Sequence, residues 1–267
     1  MVPLTDYEDL SRLVTPHMRS GVMANTMASQ AEYAPAIAAG TLDLRDTPAG
    51  LLLLRDRGDH TRLNFFLNDL SCPLDTALPT PTVTEVAFRP RDTGLQEAVS
   101  YLQRQGFTPV FERIRLSRPA GQAGEPALPL LTPGPEAAPW VLTFLRENFS
   151  PLTGCLPTEE ELAQDLAQGH VLVLEEKGLI TGLLHFSLEG KTGEIRHLAV
   201  RADRRGTGRT RPLLAGYLQA IAGAKSIVWT RRDDLAAQTA YGRFGFTPDG
   251  RRSAVLCYTE KEGIAIP

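Results

Sequence analysis

Residues 194–222 read EIRHLAVRADRRGTGRTRPLLAGYLQAIA and contain the strongest structural signal in the chain. The pattern predicts an apolar strand, a basic turn that contains Gly206 and Gly208, and then an amphipathic helix. The first turn of a helix leaves backbone N–H groups unpaired and carries partial positive charge, so it favours bound anions. Four arginines in and beside the turn add formal positive charge: Arg204, Arg205, Arg209 and Arg211. The segment therefore predicts a site for a phosphorylated cofactor.

Two common phosphate-binding loops do not fit this turn. A Walker A loop requires a Lys after its glycines, and a dinucleotide fingerprint would require glycine in place of Arg211. The pattern R-x-x-G-x-G/A does fit, with Arg205, Gly208 and Thr210 at its fixed positions. In this respect the turn resembles the coenzyme A pyrophosphate loop of the GNAT superfamily of N-acetyltransferases. Thr210 departs from the small residue that is usual at the last position.

A second segment, DDLAAQTAYGRFGFTP at 233–248, strengthens the resemblance. It follows a predicted strand at 225–230 and is similar to the GNAT pattern N-x-x-A-x-x-x-Y-x-x-x-G-F. Asp234 stands where Asn is common, and the other fixed positions hold the expected residues: Ala237, Tyr241, Gly245 and Phe246. The two signatures have the order and separation that are typical of the family. Together they resemble GNAT proteins over about half of the chain.

The resemblance implies which groups would hold acetyl-coenzyme A, as a co-substrate. Main-chain N–H groups of the turn would bind the pyrophosphate. GNAT strands splay just before this turn, and the exposed N–H groups would contact the pantetheine arm and the thioester carbonyl. The implied cofactor contacts are Leu198, Ala199, Val200, Arg205, Gly206, Thr207, Gly208, Arg209, Thr210, Asp234 and Ala237.

Acetyl transfer to an amine requires a base for the amine, a donor for the oxyanion and an acid for the departing thiolate. The resemblance implies Tyr241 as the acid, and an ordinary pKa near 10 would keep it protonated at neutral pH. The alternative is a core tyrosine. Glu194 occupies the general-base position of several GNAT enzymes; the alternatives are a solvated residue or a water chain to another carboxylate. Strand alternation places Glu194 on the same face as Arg196, Leu198 and Val200 unless a bulge intervenes.

The chain also shows an internal repeat. The sequence GFTP occurs at 106–109 and 245–248, and a predicted hairpin at 50–70 resembles one at 170–190. On this alignment the second half is longer, and its additional residues are the phosphate loop and its helix. Prolines disfavour a helix in the matching part of the first half. We therefore predict an α/β (α+β) fold of two GNAT-like domains, each a mixed sheet flanked by helices, with only the C-terminal copy complete.

A segment rich in Pro and Gly at 117–136 separates the two halves. We predict a degenerate domain at 1–120 that lacks the pyrophosphate loop, a linker at 121–125, and an acetyltransferase domain at 126–267 that binds acetyl-coenzyme A. This assignment implies one cofactor per chain.

Two helices are predicted to open the second domain. One starts near Glu136, and the other starts at Thr158 with a capping box to Glu161. In the GNAT arrangement these helices flank the acceptor. The segment between them, SPLTGCLP at 150–157, would therefore line the amine pocket.

Composition limits the partners. A formal net charge of −3 and a pI near 6.0 exclude a globally basic nucleic-acid binder. Three scattered cysteines without a C-x-x-C motif indicate reduced thiols and a cytoplasmic protein. We find neither a signal peptide nor a membrane-spanning run. His185 and His197 fall on predicted strands, where structural roles are favoured, and no metal site is predicted.

These observations predict an acetyl-coenzyme A-dependent N-acetyltransferase that acts directly in a ternary complex. The acceptor would be the amine of a small molecule, protein or peptide. The first half would shape either the acceptor pocket or a homodimer. Two alternatives stay open: a non-catalytic coenzyme A sensor or scaffold, and a GNAT-like interaction module.

Overall fold

The computed structural model describes residues 4–19, 21–74, 76–89, 93–121 and 129–259. The chain divides into two compact units. Unit 1 comprises Met1–Glu112 and Arg251–Pro267, and unit 2 comprises Arg113–Gly250. Within the described residues, no helix is long and apolar enough to cross a membrane.

Unit 1 is a mixed β-sheet with helices on both faces. Its elements are α1 (Tyr7–Val14), β1 (Met23–Ala24), α2 (Gln30–Ala38), β2 (Leu42–Thr47), β3 (Gly50–Asp56), β4 (Thr61–Leu67), β5 (Thr82–Phe88), α3 (Thr93–Arg104) and the first part of β6 (Thr108–Arg118). Strands β2, β3 and β4 pair antiparallel in this order, and β4 pairs parallel with β5. The last part of β11 (Thr247–Tyr258) pairs antiparallel with β5.

Side chains of β4 alternate between two apolar cores in unit 1. Phe65 packs with Tyr101 and other residues of α3, whereas Phe66 packs with Leu10 and Tyr33 of α1 and α2. All five side chains are almost fully buried. Since buried apolar surface contributes about 25 cal/mol per Å², these aromatic side chains fix the helices on their two faces.

Unit 2 has the same general construction. Its elements are the last part of β6, α4 (Ala138–Asn148), α5 (Glu159–Ala167), β7 (Val171–Glu176), β8 (Leu179–Glu189), β9 (Thr192–Val200), α6 (Thr210–Ala220), β10 (Lys225–Arg231), α7 (Leu235–Gly242) and the first part of β11. Strands β7, β8 and β9 pair antiparallel, β9 pairs parallel with β10, and β10 pairs antiparallel with β6. One core lies under α6 and α7, and the other lies under α4 and α5.

The helix starts of unit 2 agree with the sequence signals. A short 3-10 helix at Pro135–Ala137 leads into α4, close to the start predicted near Glu136. The capping box of α5 is confirmed. The Thr158 hydroxyl accepts from the Glu161 N–H at 3.2 Å, and the Glu161 carboxylate accepts from the Thr158 N–H at 2.8 Å.

Strand order corrects the predicted alignment of the two halves. In each unit two antiparallel pairs lead to one parallel pair, β4–β5 in unit 1 and β9–β10 in unit 2. Hairpin β3–β4 therefore corresponds to β8–β9, whereas the sequence repeat pairs residues 50–70 with 170–190, which is β7–β8. Consecutive apolar hairpins have similar patterns, so the shift by one strand is invisible in sequence. As predicted, the described residues between β4 and β5 contain no helix, whereas α6 connects β9 and β10.

The two units divide inside strands. β6 passes from unit 1 to unit 2 after Glu112, and β11 passes from unit 2 to unit 1 after Gly250. The predicted domain boundaries lie elsewhere, at a linker of which residues 122–125 fall outside the described part of the chain. A continuous strand has no linker composition, so the sequence could not mark these two positions.

Candidate functional site

Strands β9 and β10 separate partway along unit 2. Their parallel pairing ends at Ile195 and Val228, although β9 continues to Val200 and β10 to Arg231. On its other side β9 remains paired with β8 through Val200. Among the described residues, no strand therefore pairs with the second edge of residues 196–200. An unpaired strand edge presents backbone N–H and C=O groups that an extended ligand can use.

The corresponding gap in unit 1 is filled by the chain itself. Strand β1 pairs with β4, and the next residue, Asn25, bridges β4 and β5. The Asn25 amide oxygen accepts from the Phe65 N–H at 2.8 Å, and its amide nitrogen donates to the Thr84 hydroxyl and the Glu85 carbonyl at 3.1 and 3.0 Å. The backbone groups of β4 that correspond to the open edge of β9 therefore have hydrogen-bond partners within unit 1.

A β-bulge interrupts β9 near the point of separation. His197 pairs with His185, but Ile195 pairs with Phe186, so Arg196 is an additional residue without a counterpart on β8. A bulge of this kind reverses the alternation of side chains beyond it.

The bulge determines the face on which Glu194 lies. Ile195 shares the α6–α7 core with Leu198 and Val200. Because neighbouring strand residues point to opposite faces, Glu194 lies on the α4–α5 face, as His197 does. Simple alternation would have placed Glu194 with Leu198 and Val200, and the bulge reverses that expectation.

The turn after β9 has an open backbone. Gly206 and Gly208 have φ angles of +74° and +83°, in the left-handed region that favours glycine. A Cβ atom at either position would meet nothing within 4 Å. The Thr207 hydroxyl between them donates to the Arg204 carbonyl. The glycines therefore fit the backbone conformation and leave space beside it.

Helix α6 begins directly after this turn. Its N-cap residue, Arg209, makes no side-chain capping hydrogen bond. The Arg211 N–H donates to the Gly208 carbonyl at 3.1 Å, and Pro212 has no N–H but has a φ angle that suits a first turn. The uncapped helix start keeps the partial positive charge that favours an anion.

Two of the predicted cofactor residues order the turn through their side chains. Arg205 donates from Nε to the Val200 carbonyl at 3.1 Å and from Nη2 to Oδ1 of Asn148 at 3.0 Å. Arg209 forms an ion pair with Glu176, with Nη2 and Oε1 2.9 Å apart. These contacts fasten the turn to the ends of β9, α4 and β7, so its main-chain N–H groups are the natural anion donors.

The second signature lies on α7. The Asp234 carboxylate accepts from the Ala237 N–H at 2.9 Å and caps the helix. Tyr241 is buried, and its ring centroid lies 5.7 Å from that of Phe246 in the α6–α7 core. Burial raises the pKa of Tyr241 well above the usual value, so the phenol keeps its proton at neutral pH.

The sequence reasoning missed a buried chain of polar side chains on the α4–α5 face. His185 lies between Asp165 and His197, with ring nitrogens 2.8 Å from the Asp165 carboxylate and 3.1 Å from His197. His197 in turn contacts the Gly154 carbonyl at 2.9 Å. These residues belong to α5, β8, β9 and a loop, so no sequence spacing reveals them. In the described part of the chain, no group of three or more His, Cys, Asp or Glu could hold a metal ion.

Residues 147–255 match the family described as acetyltransferase (GNAT) domain. A GCN5-related N-acetyltransferase from Sphaerobacter thermophilus superposes with a TM-score of 0.58 at 15% identity, over 82% of this chain and 79% of that one. A tandem GNAT protein from the clavulanic acid biosynthesis pathway gives 0.54 at 11% identity, over 96% and 94%. A search of curated proteins found no match. The predicted GNAT resemblance and mixed α/β fold are confirmed; the degeneracy of the N-terminal half stays a prediction.

Proposed function

We propose, from the GNAT acetyltransferase domain at residues 147–255, that unit 2 binds acetyl-coenzyme A and transfers its acetyl group directly to a primary amine. One observation carries this proposal. The unpaired edge of β9 leads into an open glycine turn and then into the uncapped start of α6. A strand edge followed by an anion site suits a ligand that has an amide-containing arm and a pyrophosphate.

The predicted cofactor residues have different parts in this proposal. Main-chain N–H groups of 206–210 would bind the pyrophosphate, and those of 198–200 would contact the pantetheine arm and the thioester carbonyl. Arg205 and Arg209 would act by ordering the turn, as their contacts with Val200 and Glu176 suggest. Asp234 and Ala237 would place α7 beside the site.

The transfer needs movement of one acyl group and two protons. The amine nitrogen attacks the thioester carbonyl carbon, the C–S bond breaks, and an amide forms. Tyr241 would give its proton to the departing thiolate; its raised pKa keeps the proton on the phenol at neutral pH but also makes the phenol a weaker acid. Glu194, or a water chain to another carboxylate, would take the proton from the amine.

The position of Glu194 supports its proposed role as the base. It lies one residue before the pairing of β9 and β10 ends, on the α4–α5 face. On the same face, the bond from His197 to Gly154 ties β9 to residues 150–157, the proposed acceptor-lining segment. The bulge thus turns Glu194 toward the side on which the amine would approach.

The proposed acceptor is an amine of a small molecule or of a protein or peptide. We expect that neither nucleic acid nor a membrane is a partner and that the protein is cytoplasmic. Unit 1 would shape either the acceptor pocket or a homodimer. A second candidate function is a coenzyme A-binding sensor without catalysis. The burial of Tyr241 among apolar side chains favours this candidate, because it gives the tyrosine a packing role.

Thermal unfolding with and without acetyl-coenzyme A tests both candidates. At 100 times the dissociation constant, a specific ligand stabilises the folded protein by about 2.7 kcal/mol. The absence of any shift would contradict both. Release of free coenzyme A thiol with a panel of amines then separates them, since a sensor would bind the cofactor and release none.

A further inference from the structure

Three side chains form a continuous chain of short polar contacts on the α4–α5 face of unit 2. The carboxylate of Asp165 lies 2.8 Å from Nε2 of His185. The two Nδ1 atoms of His185 and His197 lie 3.1 Å apart, and Nε2 of His197 lies 2.9 Å from the Gly154 carbonyl. His185 is 0% and His197 3% exposed, so every ring nitrogen depends on these protein partners.

The number of protons shared by these three hydrogen bonds follows from their geometry. Three hydrogen bonds require three protons, and two neutral imidazole rings carry two. The Gly154 carbonyl can only accept, so His197 donates from Nε2. Neutral His197 then accepts at Nδ1, and His185 must donate from its own Nδ1. The remaining contact, between Nε2 of His185 and Asp165, is repulsive unless a third proton lies between them.

The electrostatic environment excludes His197 as the site of this third proton. Burial lowers the pKa of His197 to about 3, so His197 is neutral at physiological pH. Burial also lowers the pKa of His185, and Asp165 opposes that effect through its hydrogen bond and charge. Burial raises the pKa of Asp165, but the hydrogen bond and charge of His185 outweigh burial and lower it overall. The geometry, through the 2.8 Å contact between Nε2 of His185 and the Asp165 carboxylate, is what places the third proton on this pair rather than on His197.

Other charged and titratable groups act on the pair from the elements around it. Among the described residues, Arg196 on the bulge of β9 and His170 after α5 act on Asp165 and His185. Arg196 also acts on His197, as does Arg113 on β6. Nδ1 of His170 lies 3.8 Å from the Asp165 carboxylate. The charge of Arg196 lowers the pKa of both Asp165 and His185, so it opposes the shared proton that the hydrogen-bond geometry requires.

We propose that Asp165 and His185 retain a buried proton, and that this proton, through His197, holds residues 150–157 against β9 and positions the acceptor side of the site. Arg113 supports the same segment, because it donates to the Thr153 carbonyl. We regard Asp165, His185 and His197 as positioning residues. Only the last step, from the segment to the acceptor, rests on the proposed function.

Long-range proton–nitrogen NMR spectra of the ligand-free full chain test the proton arrangement without any reaction. We expect His197 to stay neutral with its proton on Nε2 throughout the neutral pH range. His185 should be protonated at Nδ1, with its Nε2 signal displaced toward the protonated form. A proton on Nδ1 of His197, or a titration of His197 near its ordinary pKa of about 6.5, would overturn the proposal.

Two substitutions of Asp165 test whether the ordering of residues 150–157 requires the third proton or the carboxylate itself. Asp165→Asn places an amide N–H donor against Nε2 of His185 and so supplies the third proton covalently. Asp165→Ala removes it. With Asn we expect the hydrogen-exchange protection of residues 150–157 and the KM for the amine to stay within about twofold of the unsubstituted protein. With Ala we expect loss of that protection and an amine KM about tenfold higher, with the KM for acetyl-coenzyme A unchanged.

Asp46→Asn, at an exposed position of β2, is the matched control and should change neither quantity. The proposal is contradicted if Asp165→Asn behaves like Asp165→Ala, because the carboxylate itself would then be required. It is also contradicted if Asp165→Ala leaves the exchange protection intact. Exchange and NMR are measured without substrate, so they give a result even if the protein proves to have no acetyltransferase activity.

Discussion

Units 1 and 2 share an order of strand pairing but differ in what occupies the gap after their parallel pair. In unit 1, β1 and Asn25 fill the gap between β4 and β5 and satisfy the backbone groups there. In unit 2 the matching edge of β9 is unpaired among the described residues, and it leads to a glycine turn and helix α6. This strand arrangement alone therefore does not make a cofactor site. The edge must be accessible and must be followed by an anion site.

The comparison predicts one cofactor per chain, bound by unit 2.

Replacement of the proposed acid should have the largest effect. Tyr241→Phe is expected to lower turnover by about 100-fold or more, because general acid catalysis contributes on that scale, and to leave cofactor affinity unchanged. Steady-state thiol release and a binding titration measure the two quantities. Tyr101→Phe in α3 of unit 1 also removes the hydroxyl of a buried tyrosine and should not affect turnover. Unchanged turnover in Tyr241→Phe would make the acid assignment wrong.

A negative charge in the open turn at Gly208 should weaken the binding of acetyl-coenzyme A. Gly208→Asp combines a strained backbone with a carboxylate near the proposed pyrophosphate, and we expect a loss of about 30-fold in affinity, or ~2 kcal/mol. Gly58→Asp is the matched control, since Gly58 has a φ angle of +88° and equally open surroundings in a turn of unit 1. Equal losses in the two variants, by calorimetric titration, would remove the distinction between the turns.

Removal of the residue that fills the unit 1 gap should affect stability but not binding. Asn25→Ala leaves the Phe65 N–H and the Glu85 carbonyl without their side-chain partner, at an expected cost of roughly 1–2 kcal/mol in the free energy of unfolding. Denaturant unfolding measures this cost, with the exposed Asn68→Ala as reference. Cofactor stoichiometry should remain one per chain. A second bound cofactor in Asn25→Ala would show that unit 1 retains a latent site.

The smallest effect is expected from loosening the turn. Arg205→Ala removes the contacts with Val200 and Asn148, and we expect about fivefold weaker cofactor binding, or ~1 kcal/mol. Arg146→Ala, which removes an exposed arginine of α4, controls for the loss of a positive charge in unit 2. An unaltered affinity for Arg205→Ala would count against its role in ordering the turn.

Local features of the fold could be predicted from the sequence because each depends on neighbouring residues. The capping box of Thr158 and Glu161 and the helix that starts at Thr210 have the predicted form. The absence of a helix between β4 and β5 followed from prolines, and it holds for the described residues. Glycine at 206 and 208 predicted a turn that side chains do not obstruct.

Features that depend on strand pairing could not be predicted. The bulge at Arg196 reverses the face of Glu194, yet it is defined only by the partners of β9 on β8. The sequence repeat pairs hairpin β3–β4 with β7–β8 instead of β8–β9, a shift of one strand. Only the position of the parallel pair distinguishes one apolar hairpin from the next. The hydrogen bonds of Asn25, and those that link Asp165, His185 and His197, join residues that are distant in sequence. No sequence spacing predicts such contacts.

A structure of the full chain in complex with acetyl-coenzyme A tests the difference between the two units most directly. We predict one cofactor per chain, with its pantetheine arm along residues 196–200 and its pyrophosphate at residues 205–210, while β1 and Asn25 stay in the gap of unit 1. A cofactor between β4 and β5 with Asn25 displaced, or one bound away from the β9 edge, would contradict the account.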